Sequence, residues 1–185
     1  VGRLLEHLQK CGQLDETMIV MTSDHGDLCY EHDRLNKGNP YEGSARVPML
    51  VRMPGKNRAG TVNREPVGTV DLTPTVMGLV GLQSDPNDQG RNLTESWVKG
   101  SAGSGLSESS RPITFLRNSG KQASWVAAVD RRYKLILSVT DRPWLFDAQQ
   151  DPDELLNFYL RPGTEGVAKR LSNALDDYGK RFQDP

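Results

Sequence analysis

Cysteine is scarce. Cys11 and Cys29 are the only two in 185 residues, which excludes a disulfide framework and any paired-cysteine metal motif. No charge sign is in excess either. Lys and Arg number 23 against 24 Asp and Glu, for a net charge of −1. A nucleic-acid binder would show a basic surplus or stripe, so no nucleic-acid partner is expected. No apolar run approaches the ~18 residues that a bilayer span needs, and none is expected to cross a membrane. There is no Gly-rich phosphate loop and no Gly-x-Ser-x-Gly elbow. The chain opens Val1-Gly2-Arg3 without Met or an apolar leader. It therefore reads as processed or as a fragment.

Glycine (18) and proline (11) are plentiful, about one residue in six, so the chain is loop-rich. Val1, Leu4, Leu5 and Leu8 recur at helical spacing, which predicts a helix over 2–11 closed by Gly12. Thr17 to Thr22 is a short continuous apolar run, read as a strand covered on both faces of a parallel sheet. Residues 23–46 carry no period and form a long loop. Residues 48–52 read as a second strand, parallel to the first, ending at the Pro54-Gly55 turn. Thr73-Pro74 opens a helix that Gly81 ends. A composition shift toward Ser101-Ala102-Gly103-Ser104-Gly105 places a boundary near residue 100. Beyond it, β-rich runs at 113–116, 124–129, 133–139 and 144–146 follow one another without intervening helices. This predicts an antiparallel sheet over 112–147. Val167, Leu171, Ala174, Leu175 and Tyr178 predict a helix over 165–181 packed on it.

The chemistry concentrates in Ser23-Asp24-His25-Gly26-Asp27, at the carboxyl end of a predicted strand, where open α/β sheets bind ligands. Asp24 and His25 are candidate metal ligands. Two ligands do not close a site, and the alternative is a turn-capping Asp beside a solvent-facing His. Gly26 is read as allowing a sharp turn. His32, between Glu31 and Asp33, is a candidate substrate contact or an ordinary exposed histidine. Lys37, in Asn36-Lys37-Gly38-Asn39-Pro40, is a point charge suited to an anion or simply a solvated lysine. Glu42 and Arg46 read as a structural ion pair or loop anchors. Asn92-Leu93-Thr94 fits a glycosylation acceptor of the kind chance supplies.

These segments, in this order, resemble the sulfatase family of the alkaline-phosphatase superfamily: Ser23–Asp27, Glu31-His32, Lys37-Gly38-Asn39-Pro40-Tyr41-Glu42-Gly43, Arg46-Val47-Pro48-Met49-Leu50-Val51 and Pro54-Gly55. Val70-Asp71-Leu72-Thr73-Pro74-Thr75, Gly90-Arg91-Asn92-Leu93, Arg132-Tyr133-Lys134-Leu135-Ile136, Leu145-Phe146-Asp147 and Asp151–Asn157 extend the likeness over essentially the whole chain. The resemblance implies an α/β fold. The C-terminal part of an alkaline-phosphatase-like parallel-sheet domain (1–100) would be followed by a small antiparallel sheet with a packed C-terminal helix (101–185).

It implies sulfate-ester hydrolysis, a formylglycine nucleophile and a calcium ion. Asp24 and His25 would be metal ligands, Lys37 would contact the sulfate, and His32 would serve the catalytic site. The substrate of the full-length parent would be a sulfated small molecule or glycan. Export to periplasm, lysosome or medium follows by family analogy.

The Cys/Ser-x-Pro-x-Arg motif that supplies the nucleophile is absent, since Gly-Gln-Leu follows Cys11 and Tyr-Glu-His follows Cys29. The isolated chain is therefore expected to be inactive and to hold calcium weakly or not at all. It should also expose a sheet edge open to self-association. Two alternatives stand beside this reading. One is a phosphonate or phosphate ester hydrolase of the same superfamily. The other is a non-catalytic truncated sulfatase-like binding module.

Overall fold

The computed structural model describes residues 1–55, 59–99, 112–118 and 125–182. The expected boundary at residues 100/101 and the Ser101–Gly105 stretch lie outside the described residues.

Helix α1 spans Gly2–Lys10, with His7 and Lys10 in its last turn, where cations complement the helix dipole. Gly12 follows in the left-handed conformation (φ +68°), as its cap role requires. Strand β1 (Ile19–Met21) pairs with β2 (Leu50–Arg52). The register is Ile19↔Arg52, Val20↔Val51 and Met21↔Leu50, and the pairing is antiparallel. This corrects the expected parallel arrangement. A parallel neighbour needs a crossover of a dozen or more residues, usually a helix. Between β1 and β2 the chain offers only a 3-10 turn at Glu31–Asp33 and the four-residue helix α2 (Glu42–Ala45).

The pair is also not covered on both faces. Leu50 and Met21 are exposed, and no residue of α1 is buried. Arg52 ties β2 back to the preceding turn, donating to Leu14 O at 2.5 Å and to Asp15 Oδ1 at 2.7 Å.

Helix α3 (Leu72–Leu79) is entered through a 3-10 turn at Thr69–Asp71 and followed by α4 (Thr94–Lys99). Buried Asp71 holds this region together. It accepts the Arg91 backbone N–H at 2.7 Å and the Arg91 guanidinium at 2.6 Å.

The second sheet is the expected one. Strands β3 (Thr114–Arg117), β4 (Trp125–Val129), β5 (Tyr133–Ser138) and β6 (Trp144–Asp147) form an antiparallel meander in sequence order. Helix α5 (Glu165–Phe182) lies on one face. Its Val167, Ala168, Leu171 and Leu175 pack with Ala128, Leu135, Leu145 and Phe158. Each large side chain buried there contributes about 1.5–3 kcal/mol. Arg170 pairs with buried Asp130 and fixes the helix to the strands.

The opposite face is apolar too. Ala127, Ile136 and Phe146 pack there against Tyr41, Leu116, Trp125 and Trp144. Tyr41 belongs to the long loop, so this sheet face is the platform on which the loop sits. Among the described residues, no helix is long and apolar enough to cross a membrane.

Candidate active site

The loop that leaves β1 carries Asp24 and His25. Asp24 Oδ1 accepts the His25 backbone N–H at 3.0 Å and the Ser23 hydroxyl at 3.3 Å. The hydrogen bond from the His25 N–H, the largest cause, holds the Asp24 carboxyl below its ordinary 3.8. The carboxylate stays ionised and exposed. His25 Nδ1 lies 2.8 Å from Gly26 O. A carbonyl only accepts, so Nδ1 carries a proton; Nε2 lies between the Lys37 ammonium, which calls for its lone pair, and the Asp24 carboxylate, 3.5 Å away. That lone pair meets Lys37 Nζ at 2.6 Å.

Asp24, His25 and Lys37 thus converge, and all three line an open cleft of about 2410 Å³ that also takes in Gly38, Arg117 and Trp125. The expectation that Asp24 and His25 lie side by side is met, and Lys37 joins them from 12 residues away.

Glycine at 26 serves close approach rather than a turn. Its backbone N–H donates to Ser44 O at 2.9 Å. A Cβ there would run into the Gly43 carbonyl. The loop is thereby clamped onto α2. Farther along, Cys29, Tyr30, His32, Asp33 and Asn36 all have positive φ, a conformation in which a non-glycine residue costs on the order of 1–3 kcal/mol. Asp27 stabilises one such turn, accepting the Cys29 N–H at 2.9 Å. The same carboxylate pushes the Cys29 thiol up from its ordinary 9.0, which keeps Cys29 a poor nucleophile.

His32 does not join the other three. Its ring stacks on Tyr41, centroids 3.8 Å apart and planes 14° from parallel, and Tyr41 leans on Phe146 at 5.9 Å. His32 therefore packs the loop against the sheet and does not line the cleft. Glu42 is an anchor, as read from the sequence. It pairs with Arg46 at 3.7 Å but more closely with Lys134, at 2.5 Å.

Sequence reasoning missed that partner. Lys134 is buried and also binds Glu154 Oε1 at 2.7 Å and Pro40 O at 2.8 Å. A usable signal existed, because Lys134 shares the strand face of Ile136 and thus points into the apolar layer under Tyr41.

The sequence profile of the family described as Sulfatase matches residues 1–82. The N-acetylglucosamine-6-O-sulfatase of Bacteroides thetaiotaomicron is 30% identical over 207 residues, covering 100% of this chain and 34% of that protein. A solved structure of a protein in complex with its substrate D-glucosamine-2-N,6-O-disulfate superposes with a TM-score of 0.84 at 27% identity, over 99% of this chain and 38% of the other. The chain belongs to the sulfatase family. Its fold is that of the alkaline-phosphatase-like sulfatases. It spans about a third of the length of the curated sulfatases it matches. The phosphonate monoester hydrolase of Agrobacterium radiobacter shares the fold as well, with a TM-score of 0.78 at 26% identity over 98% of this chain and 38% of that one.

Sulfatase chemistry raises the question of calcium. The ion takes six to eight oxygen ligands. Asp24 fits this requirement, with an ionised carboxylate facing the cleft. His25 fits less well, since its free lone pair is a nitrogen and is already engaged by an ammonium. Among the described residues, no group of three or more His, Cys, Asp or Glu side chains is placed to hold a metal.

Proposed function

We propose that this chain is the C-terminal segment of a sulfatase that hydrolyses sulfate esters, and that it brings Asp24, His25 and Lys37 to the catalytic site. The observation that carries the reading is the contact between Lys37 Nζ and His25 Nε2 at 2.6 Å, beside the Asp24 carboxylate in one cleft.

Hydrolysis breaks the S–O bond to the alcohol and leaves negative charge on the departing oxygen. The Lys37 ammonium is suited to steady that charge and donate a proton to it. His25, neutral at Nε2, can take the proton from Lys37 through their hydrogen bond, or return it. Asp24 would be this chain's ligand to calcium, which when bound supplies positive charge to the sulfate's non-bridging oxygens.

The nucleophile lies outside these 185 residues, since Cys/Ser-x-Pro-x-Arg does not occur in them. The isolated chain should therefore not turn over. An exported location follows the family analogy. Relatives whose names or bound substrate specify sulfated glucosamine make sulfated amino sugars the first compounds to test.

A second reading, phosphonate ester hydrolysis, is favoured by the likeness to the Agrobacterium enzyme. The test is turnover by the intact polypeptide that contains this chain. The expected result is hydrolysis of 4-nitrophenyl sulfate and of a 6-O-sulfated glucosamine, with turnover in Lys37→Ala sharply lowered but still measurable on the activated 4-nitrophenyl ester. Turnover of phosphonate monoesters with none of sulfates would give the second reading the site.

A further inference from the structure

We infer that the four-stranded sheet is the positioning device for Lys37, with Trp125, Lys134 and Glu154 setting where its ammonium sits. The inference rests on the sulfatase reading of Lys37 and adds three positioning residues to it.

Lysine is a poor choice for precise placement on its own. Its four-carbon stem is flexible and gives up about 2 kcal/mol of rotamer entropy when held. The backbone beneath it must therefore be fixed. Here the anchoring falls on alternate residues. Asn36 O accepts the backbone N–H of fully buried Leu28 at 2.9 Å. Gly38 O accepts Trp125 Nε1–H at 3.1 Å. Pro40 O accepts from Lys134 Nζ at 2.8 Å. The Glu42 N–H donates to Glu154 Oε2 at 2.7 Å. Residues 36, 38, 40 and 42 are all held, and the residues on both sides of Lys37 are among them.

Three of the four partners come from the sheet or the loop just after it. Trp125 is on β4, Lys134 is on β5 and Glu154 follows β6. Glu154 itself sits at φ +55°, a conformation that persists for a non-glycine residue only where its surroundings over-determine it. Asn36 (φ +65°) and Gly38 (φ +89°) bracket Lys37 in left-handed conformations. Asparagine and glycine both accept this conformation, so local preference turns the chain at Lys37 and the anchors hold it there.

A displacement of about 1 Å in a catalytic group can cost on the order of a hundredfold in rate. Loss of one anchor should cost less, because three remain. It should be felt most where the leaving group needs the most help. The test uses the intact polypeptide and a series of aryl sulfates from 4-nitrophenyl to phenyl.

Trp125→Phe keeps an aromatic ring and removes the donor to Gly38 O. Glu154→Gln keeps the shape and weakens the hold on Glu42, and with it the pairing of Lys134, the anchor of Pro40 O. Each should leave kcat for 4-nitrophenyl sulfate within about twofold and lower it about tenfold for phenyl sulfate. In a Lys37→Ala background, neither should add any further loss. That non-additivity separates action through Lys37 from general damage, and melting temperatures check that both variants fold.

An unchanged dependence on leaving group, or losses that simply multiply with Lys37→Ala, would overturn the positioning role and leave the sulfatase reading intact. No sulfate-ester turnover by the unsubstituted protein would overturn both.

Discussion

Replacing Lys134 by methionine tests the buried junction between loop and sheet. Methionine keeps the unbranched stem and removes the cation. In the native structure all three ammonium protons are used, on Pro40 O (2.8 Å), Glu42 Oε1 (2.5 Å) and Glu154 Oε1 (2.7 Å). The Lys134 and Glu154 side chains are each only 4% exposed, while Glu42 is 36% exposed. Deleting one partner of a buried pair strands the other and costs about 3–5 kcal/mol.

A proton can soften that cost. Burial already pushes the Glu154 carboxyl above its ordinary 4.5, with the Lys134 charge opposing it. Without Lys134 it must rise further. A carboxyl whose folded value is raised gives stability that is full below 4.5 and is lost as pH rises through the folded value. The Lys134→Met variant should therefore lose about 3 kcal/mol near pH 7.5 and clearly less near pH 5. Glu154→Gln added to it should recover part of the loss at the higher pH.

Urea unfolding of the chain at both pH values reads this directly. Trp125 and Trp144 report from the sheet, and far-UV circular dichroism gives an independent transition. A loss under about 1 kcal/mol, or one that does not change between the two pH values, would refute the account of Lys134 as a buried counter-ion.

Three other outcomes are expected. Burial raises the Asp147 carboxyl, but the Arg132 guanidinium at 2.6 Å and the Gln149 and Gln150 N–H groups outweigh it and hold it below 3.8. That stability is present above 3.8 and is lost as pH falls through the lower folded value. Arg132→Met should consequently move the acid-unfolding midpoint, followed by circular dichroism, to higher pH. Gly26→Ala puts a methyl into the Gly43 carbonyl and should destabilise the chain by about 2 kcal/mol or more in thermal melts, with loss of activity in the intact polypeptide. His32→Ala removes the stack on Tyr41 and should lower stability by about 0.5–1.5 kcal/mol. KM for an aryl sulfate should stay unchanged, and a large rise in KM would restore His32 to substrate contact.

The elements were legible where their signal is local. The stripe Val1, Leu4, Leu5, Leu8 set α1, the runs from 113 to 146 set the meander, and the period through Leu171 and Leu175 set α5. Pairing direction is not local. A short apolar run such as Met18-Ile19-Val20-Met21 reads the same beside a parallel or an antiparallel neighbour, and only the chain's route between the strands distinguishes them. The candidate site divided in the same way. Asp24 and His25 are adjacent in sequence, so their proximity was readable, and Lys37 came with them through the family resemblance. His32 has the same composition cues as a ligand and the role of a packing ring, because Tyr41 happens to face it. Lys134 and Glu154 carry no motif of their own. Their importance arises from contacts with residues 94 and 112 positions away.

Those separations bear on the order in which the molecule assembles. The meander joins neighbours in sequence, so its contact order is low and it can form early. The contacts Gly38–Trp125, Pro40–Lys134 and Glu42–Glu154 bridge 87, 94 and 112 residues, and each needs a long loop to close first. The lysine segment is thus fixed only after the last third of the chain has emerged from the ribosome and folded. A truncated product of synthesis would contain Asp24, His25 and Lys37 and still have no working arrangement of them. Fixing of the lysine segment therefore waits on the strands of the sheet that follow it in the sequence.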